Sequence, residues 1–409
     1  MRNILLISIF SLFSLLSLKA QDSTKQKIIQ RVRVLDSATV IQQNAMYDRP
    51  FIGNSKAKIA LGGYVEGNTN YFAEDGVSEG FGMELRRFNI FLYSNISRKI
   101  KFLAEIEFEH GTEEIAIETA QLDFEINQGL NFRAGILLPQ IGLFNVNHDS
   151  PKWDVIDRPL VSSMIIPSTL SEVGFGVFGK FYSGNNVFSY DAYIVNGLQD
   201  GIVYNEDGRT FIPGGKNPST FEEDNNGTPS FNGRLAVKNS LLGEFGLSYY
   251  GGVYNSFKKE GDVVEAKRYL GIYAFDFTTS FYKFSLKGEA VYATIDLPDG
   301  FNDITGSEQT GVFVDLTYPI YKGKIAVFEN SQITLFTRFN FVDFNSGNFS
   351  FNEELKKGDE IIGFTSGVSF RPNTSTIIRA NYIYQQSTDV LNNPPGLLGG
   401  IQFGVASYF

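Results

Sequence analysis

The side chains best suited to chemistry in this sequence are carboxylates that recur at every second position. Glu105, Glu107 and Glu109 alternate with apolar residues, and Asp123 and Glu125 repeat this spacing further along the chain. Paired carboxylates can act as general acid and general base. Alternating carboxylates also occur on any strand face that contacts water, because successive side chains of a strand point to opposite faces. The spacing therefore does not indicate a hydrolase, and we expect a protein that is not an enzyme.

Histidine and cysteine usage points the same way. His110 and His148 are the only histidines, and the chain has no cysteine. A hydrolytic triad needs a nucleophile next to histidine, and no serine signature accompanies either histidine. The absence of cysteine excludes thiolate metal sites and a cysteine nucleophile. Since two histidines leave little for a zinc or iron site, we expect no catalytic residue, no metal and no cofactor.

The composition limits the class of protein and the kind of partner. The 409 residues include 45 acidic and 35 basic side chains, for a formal net charge of −10. Hydrophobic residues make up 43% and charged residues 20% of the chain, so the composition is not that of a disordered protein. The acidic balance argues against a nucleic-acid partner.

The first twenty residues resemble an export signal. Arg2 precedes an apolar stretch from Ile4 to Leu16, and polar residues follow Ala20. This pattern predicts a signal peptide over residues 1–20 that is cleaved near Ala20. A short N-terminal anchor helix is the alternative. Residues 21–56 are polar and mixed, and we expect a periplasmic extension there, with a weak signal for a small assembly helix.

From residue 57 onward, apolar and polar residues alternate with a period of two, which predicts β-strands. Several of the strands are long enough to cross a membrane at a tilt. We predict an all-β chain that forms a transmembrane antiparallel barrel of about sixteen strands over residues 57–409. The predicted spans are 59–71, 83–94, 101–110, 115–126, 132–138, 173–182, 187–196, 231–238, 244–254, 267–278, 281–293, 309–320, 331–342, 360–370, 375–386 and 399–409.

The lengths of the connections favour a bacterial outer-membrane barrel over a soluble β-protein, which remains the less favoured alternative. Most links after even-numbered strands are short, and most links after odd-numbered strands are long. Outer-membrane barrels show this alternation because short turns lie on one rim and long loops on the other. The exceptions are a longer link at 321–330 and a short one at 111–114. The last strand ends on Phe409, which resembles the assembly signal of bacterial outer-membrane proteins.

The polar face of each strand is predicted to line the lumen and the apolar face to contact outer-membrane lipid. Sixteen strands make a barrel wide enough for a water-filled channel. Two interpretations of the interior charges stay open, a transverse field across the pore and cross-strand ion pairing of the wall. The predicted inward residues are Arg87, Arg133, Lys180, Arg234, Lys238, Arg268, Lys283, Lys287, Arg338 and Arg379, with Glu105, Glu107, Glu109, Asp123, Glu125, Asp191, Asp276, Glu289 and Asp315.

The long link at 139–172 follows the fifth predicted strand. General porins fold the loop at this position inward to narrow the channel, and we favour that arrangement over a plain surface loop. The residues that would then set the size and charge of the opening are His148, Asp149, Lys152, Trp153, Asp154, Asp157 and Arg158.

Five stretches carry a family resemblance, and the last two of them are residues 233–237 and 247–252. The stretch 84–93, with its Arg86-Arg87 pair, resembles the second strand of the phosphate-selective porin O and P family. Residues 132–143, which include Gly135 and Pro139, resemble the strand that leads into the third loop of that family. Residues 157–179 are similar to the passage that follows.

The resemblance implies a sixteen-stranded porin, usually a homotrimer, through which anions or small polar solutes diffuse. It also implies that Arg86, Arg87, Arg133 and Arg158 occupy basic positions of the anion path, with Arg87 as the inward member of the pair. The alternative function is a non-conducting barrel that acts as a receptor or surface anchor. That alternative requires the loops 139–172 and 197–230 to seal the lumen.

Overall fold

The computed structural model describes residues 41–54, 58–111, 113–301, 305–350 and 352–409. The predicted signal peptide and most of the predicted periplasmic extension lie outside the described residues. Within the described ranges, no helix is long and apolar enough to cross a membrane.

The described residues form a closed antiparallel barrel of sixteen strands, with two small hairpins in its loops. In chain order the strands are β1 (Ile59–Glu74), β2 (Phe81–Ser97), β3 (Ile100–Glu109), β4 (Glu114–Phe124), β5 (Asn131–Leu137), β6 (Glu172–Ser183), β7 (Asn186–Val195), β8 (Ser230–Asn239), β9 (Gly243–Val253), β10 (Lys258–Lys259), β11 (Asp262–Val263), β12 (Tyr269–Phe281), β13 (Phe284–Ile295), β14 (Glu308–Ile325), β15 (Phe328–Asp343), β16 (Asn348–Phe349), β17 (Asn352–Lys356), β18 (Glu360–Arg371), β19 (Thr376–Ser387) and β20 (Gly396–Tyr408).

Each barrel strand pairs with its neighbour in the chain, and β1 pairs with β20 to close the sheet. The hairpins β10–β11 and β16–β17 stand apart from the wall. The prediction of a sixteen-stranded transmembrane-type barrel is confirmed, and all strand boundaries but one lie within three residues of the predicted ones.

The prediction of a longer link at 321–330 is wrong. Strand β14 continues to Ile325 and β15 begins at Phe328, so the chain reverses through two residues, with Ala326 at a φ of 50°. The strand was missed because Lys322 and Lys324, both exposed, take the place of apolar residues in this part of β14. When only the sixteen barrel strands are counted, every even-numbered strand but the last is therefore followed by a short turn. These turns form what we call the short-turn rim (residues 98–99, 125–130, 184–185, 240–242, 282–283, 326–327 and 372–375).

The outer face of the wall is apolar, as the alternation requires. Leu61 and Leu235 are exposed there, and aromatic rings from neighbouring strands lie against one another. The ring centroids of Tyr249 and Tyr273 are 5.1 Å apart, and those of Phe339 and Phe364 are 5.2 Å apart. Cross-strand aromatic contacts of this kind stabilise a sheet.

Register shifts interrupt the strict alternation at several points of the wall, and two of them change which side chains face the lumen. Opposite β1, the register moves from the pair Glu66–Arg87 to the pair Gly67–Leu85, which leaves Arg86 as the extra residue of β2. Opposite β3, the register moves so that Glu118 is the extra residue of β4. A bulge re-aims the side chains next to it. Consequently Arg86 and Glu118 both face the lumen, together with Arg87 and Thr119.

Among the described residues, two pieces of chain reach mid-height in the lumen, and Ile202 and Ile212 of the loop after β7 pack in the same apolar cluster as the second. The first, the luminal segment (residues 41–54), contains a 3-10 helix at Gln42–Tyr47 and the short helix α1 (Pro50–Asn54). The second, the inward loop (residues 138–171), contains the short helix α2 (Leu160–Met164). The described part of the expected periplasmic extension therefore lies within the barrel, where most of its side chains from Ile41 to Arg49 are buried.

Candidate functional site

The inward loop forms an apolar core inside the barrel. Its residues Ile141, Trp153 and Ile165 are buried, and they pack with Ile272 and Phe313 of the wall in one hydrophobic cluster. Burial of apolar side chains is the main favourable contribution to such packing. The structure thus places the loop in the lumen rather than on the surface.

A buried carboxylate of the wall fixes the start of the loop. Glu289 accepts the backbone N–H of Leu143 at 2.6 Å and the hydroxyl of Ser162 at 2.9 Å. Gly142 makes this approach possible, because its φ is 63° and a Cβ at this position would lie 2.1 Å from the Oε2 atom of Glu289. Only glycine adopts such a conformation easily and leaves that space free.

Two arginines of the wall bind the loop through its backbone. Arg338 pairs with Asp315 at 2.5 Å and also donates to the carbonyl of Asp157 at 2.7 Å. Arg379 pairs with Glu66 at 3.0 Å and donates to carbonyl oxygens of Ser150, Trp153 and Val155. Both guanidinium groups are buried. These two predicted pore-lining arginines therefore anchor the inward loop.

Other predicted inward charges form pairs along the wall. Arg133 makes a two-pronged ion pair with Asp123, with distances of 2.6 and 2.7 Å. Arg234 binds Asp276 in the same way, at 2.6 and 3.0 Å. Glu125, which was predicted to line the lumen, lies just past β4 in the short-turn rim and pairs with Lys101 there. This geometry matches the cross-strand pairing that the sequence left open as one interpretation.

A further group of charges lies beside the inward loop, toward the long-loop rim. Arg87 donates to Glu109 at 2.6 Å and to Glu66 at 3.0 Å. Arg158 of the loop lies 3.6 Å from Glu109 and 3.7 Å from Glu107. The structure thus brings Arg87, Arg158, Glu107 and Glu109 together.

The view that Arg87 alone points inward needs a correction. Arg86 also enters the lumen, where its Nη1 atom lies 2.6 Å from the Oδ1 atom of Asp157. The bulge in β2 is the physical reason, since it inserts one residue and turns both arginines toward the same face.

The remaining predicted bases are distributed between the wall and the rims. The Nζ atom of Lys287 lies 3.5 Å from the centre of the Trp153 ring, and Lys180 is half-buried on β6. Lys283 does not lie on the wall, because the chain reverses at Tyr282 and leaves Lys283 exposed in a two-residue turn. Arg268 precedes β12 and pairs with Glu265 in a loop.

The luminal segment makes polar contacts with several strands. Gln43 donates to Asp191 at 3.0 Å, and the Tyr47 hydroxyl donates to Asp123 at 2.6 Å. Burial and the charge of Asp123 raise the pKa of Tyr47 well above its ordinary value, so this hydroxyl stays protonated. Phe51 stacks on Phe91, with ring centroids 5.7 Å apart. The segment is therefore docked in the lumen by specific contacts.

Arg49 connects the luminal segment to the inward loop and the wall. Its guanidinium lies 2.7 Å from Glu105 of β3 and 2.8 Å from Asp149 of the loop. All three side chains are buried. Burial disfavours the charged form of Arg49, but Asp149 and Glu105 more than offset this effect, and its pKa is raised well above the ordinary value.

His148 lies next to this group, and it is fully buried. Its Nε2 atom is 3.0 Å from Glu118 and 3.5 Å from Glu105. Burial disfavours a charged imidazole, but the carboxylates of Glu118 and Glu105 raise the pKa of His148 well above its ordinary value. Neither Arg49 nor Glu118 was among the predicted site residues.

Two cavities open at the short-turn rim, on either side of the luminal segment. One has a volume of about 570 Å³ and the other of about 680 Å³. Basic side chains outnumber acidic ones in both linings. The first cavity is lined by Lys152, Lys238, Lys287 and Arg371 against Asp48, Glu244 and Asp276, and the second by Arg98, Lys99, Lys101, Arg133 and Lys180 against Asp48, Asp123 and Glu125.

The sequence matches no family model, but it is similar to a known protein. An uncharacterized protein of Aquifex aeolicus is 26% identical over 358 residues, which cover 83% of this chain and 78% of the relative.

Solved structures with the same architecture are outer-membrane barrels. A loop-deletion mutant of OmpT, an outer membrane protein of Vibrio cholerae, is similar with a TM-score of 0.53 and 11% identity, over 86% of this chain and 100% of the other. An anion-selective porin from Comamonas acidovorans gives a TM-score of 0.52 and 11% identity over 86% and 99%. The outer membrane channel DcaP of Acinetobacter baumannii gives 0.50 and 14% over 87% and 99%. The chain therefore has a porin-like barrel fold.

Proposed function

We propose that this porin-like barrel is an outer-membrane porin through which small polar solutes diffuse, with a preference for anions. The observation that carries the proposal is the loop after the fifth strand, which is folded into the lumen, together with the two basic cavities that lie beside the luminal segment. A sixteen-stranded barrel narrowed in this way selects solutes by size and by the charges along the path.

The basic cavity linings support the anion preference. The chain as a whole is acidic, but the two cavities at the short-turn rim have more basic than acidic residues. A surplus of Lys and Arg in a narrow aqueous path raises the local concentration of anions. Inorganic phosphate is the anion that the family resemblance implies, and Arg87, Arg133 and Arg158 are the residues that the resemblance assigns to its path. One similar structure is described as an anion-selective porin.

The proposed location is the outer membrane of a bacterium, reached after cleavage of the signal peptide near Ala20. The apolar outer face of the barrel would contact the lipid. The short-turn rim would then face the periplasm, since short turns lie on that side in barrels of this class. The family resemblance implies assembly as a homotrimer.

A closed, non-conducting barrel is the second candidate, and one observation favours it. At mid-height, Glu66, Glu105, Glu289, Arg338 and Arg379 are at most 1% exposed. The side chains of Arg87, Glu109 and Arg158 are 11–17% exposed, so conduction through this conformation would have to pass beside them. Alternatively, the luminal segment would have to withdraw from the lumen.

Electrical recording of the purified full chain in a planar bilayer under a KCl gradient tests the proposal. Discrete current steps with a reversal potential on the anion side are expected. Steps with a reversal potential on the cation side would keep the porin and overturn the anion preference. Silence from a correctly folded barrel would favour the second candidate.

A further inference from the structure

His148 presents one ring nitrogen to a pair of buried carboxylates, between the inward loop and the wall. Its Nδ1 atom lies 2.9 Å from the backbone carbonyl oxygen of Asn145. A carbonyl oxygen only accepts hydrogen bonds, so Nδ1 carries the proton. If the imidazole is neutral, its Nε2 atom is then an acceptor. It faces Glu118 at 3.0 Å and Glu105 at 3.5 Å, and both are acceptors when ionised.

Three acceptors that converge in this way require a proton or a cation between them. Burial makes their mutual repulsion costly, since all three side chains are at most 2% exposed. A proton on Nε2 would supply the charge, and so would a metal cation. The two possibilities place different species at the same position, so they can be separated by experiment.

The groups behind the two carboxylates resemble the outer shell of a metal site. Glu118 accepts the hydroxyl of Thr169 through its Oε1 atom, which leaves Oε2 toward His148. Asn89 donates to the Oε1 atom of Glu105 at 2.7 Å, and Arg49 donates to its Oε2 atom at 2.7 Å. Metal-bound histidines usually donate their other ring N–H to a carbonyl or carboxylate, and metal-bound carboxylates are themselves hydrogen-bonded.

The distances also suit a small cation. Zinc lies about 2.0–2.2 Å from nitrogen and carboxylate oxygen in a tetrahedral site. Ligand atoms on such a tetrahedron are about 3.3 Å apart. The observed separations from Nε2 of 3.0 and 3.5 Å bracket this value, and the three ligand atoms all lie within 4.8 Å of one another.

We propose that Glu105, Glu118 and His148 bind one divalent transition-metal ion of the zinc type. An imidazole nitrogen with two carboxylates suits zinc better than calcium or magnesium, which prefer oxygen ligands only. The ion joins β3 and β4 to the inward loop and thereby holds the loop in the lumen. This inference does not rest on conduction, because a closed barrel would use the same site.

The test uses the full chain folded in detergent micelles, stripped with a chelator and then equilibrated with zinc chloride. Elemental analysis is expected to find one zinc per chain. Cobalt substitution is expected to give the visible absorption of a tetrahedral site with nitrogen and oxygen ligands. His148→Ala is expected to weaken binding by at least about 100-fold, because loss of an outer-shell partner alone already costs about 10–100-fold.

His110→Ala is the matched control, because His110 is the other histidine of the chain. Its side chain is 54% exposed, at the end of β3. This variant is expected to bind zinc as the unchanged chain does. Glu118→Gln is a second test variant, since its amide keeps a carbonyl oxygen for the Thr169 hydroxyl but removes the charge.

Two results would overturn the proposal. One is a correctly folded unchanged chain that retains no zinc above the background of a zinc-free blank, which would mean that a proton occupies Nε2. The other is stoichiometric zinc that neither His148→Ala nor Glu118→Gln reduces, which would place the ion elsewhere. The first result needs no variant, so a folding defect in a variant cannot hide it.

Discussion

The middle of the lumen and its short-turn rim contain the same kinds of charged side chain in different surroundings. At mid-height, Arg338 and Arg379 are buried, pair with carboxylates and donate to carbonyl groups of the inward loop. At the rim, Arg98 and Lys99 are exposed beside a cavity of about 680 Å³. A charge predicted to line a pore can thus either fasten the chain that fills the pore or remain available to a solute.

Removing a mid-height anchor should have the largest effect on stability. Arg338→Ala leaves Asp315 buried without its ion pair, and loss of one member of such a pair costs about 3–5 kcal/mol. The free energy of unfolding in detergent, measured by urea titration, is expected to fall by this amount. Lys324→Ala at the exposed end of β14 is the control, with an expected change below about 1 kcal/mol. Equal losses for the two variants would contradict an anchoring role.

The start of the inward loop allows a finer comparison with a surface loop. Gly142 and Gly208 both have a positive φ, of 63° and 67°, but only Gly142 has Glu289 against it. Gly142→Ala is expected to lower the free energy of unfolding by about 2 kcal/mol more than Gly208→Ala, because it adds a clash to the same backbone strain. Thermal unfolding of both variants measures the difference. If the two losses match, Glu289 does not hold the loop closely.

At the rim, loss of charge should alter ion selectivity and leave stability nearly unchanged. The double variant Arg98→Gln, Lys99→Gln is expected to lower the preference for chloride over potassium by roughly a factor of two. The effect is modest because salt screens an exposed charge beyond about 10 Å, so it acts only on ions that pass close to it. The exposed pair Lys258 and Lys259 on β10 gives the matched control on a loop hairpin. The reversal potential under a KCl gradient reports both. A larger shift from the control pair would locate selectivity away from the rim cavities.

The barrel could be predicted from the sequence because strand alternation and turn length are local properties. The bulges are local as well, but strict alternation hides them. In β2 the outward apolar residues occupy odd positions up to Leu85 and even positions from Phe88 onward. In β4 the same change occurs between Ile117 and Ala120. Each change of parity marks a bulge, and it would have placed Arg86 and Glu118 in the lumen.

The luminal segment could not be placed from sequence. Residues 41–54 contain no period of two, and their apolar residues follow no regular spacing, so the segment carries no signal of a strand. Their position depends on contacts with residues distant in the chain, such as Arg49 with Glu105 and Asp149. The anchoring roles of Arg338 and Arg379 are of the same kind, since their partners are backbone carbonyls of the inward loop.

Single-channel recording of the full chain against a variant that lacks residues 41–54 tests the central claim most directly, namely that this is a porin whose path is narrowed from within. Both proteins are measured in KCl, after their barrel folding has been verified by the heat-dependent change of mobility on a gel. We expect current steps from both, several-fold larger for the deletion variant because it frees cross-section beside the inward loop. Folded barrels that are silent with and without the segment would contradict the claim.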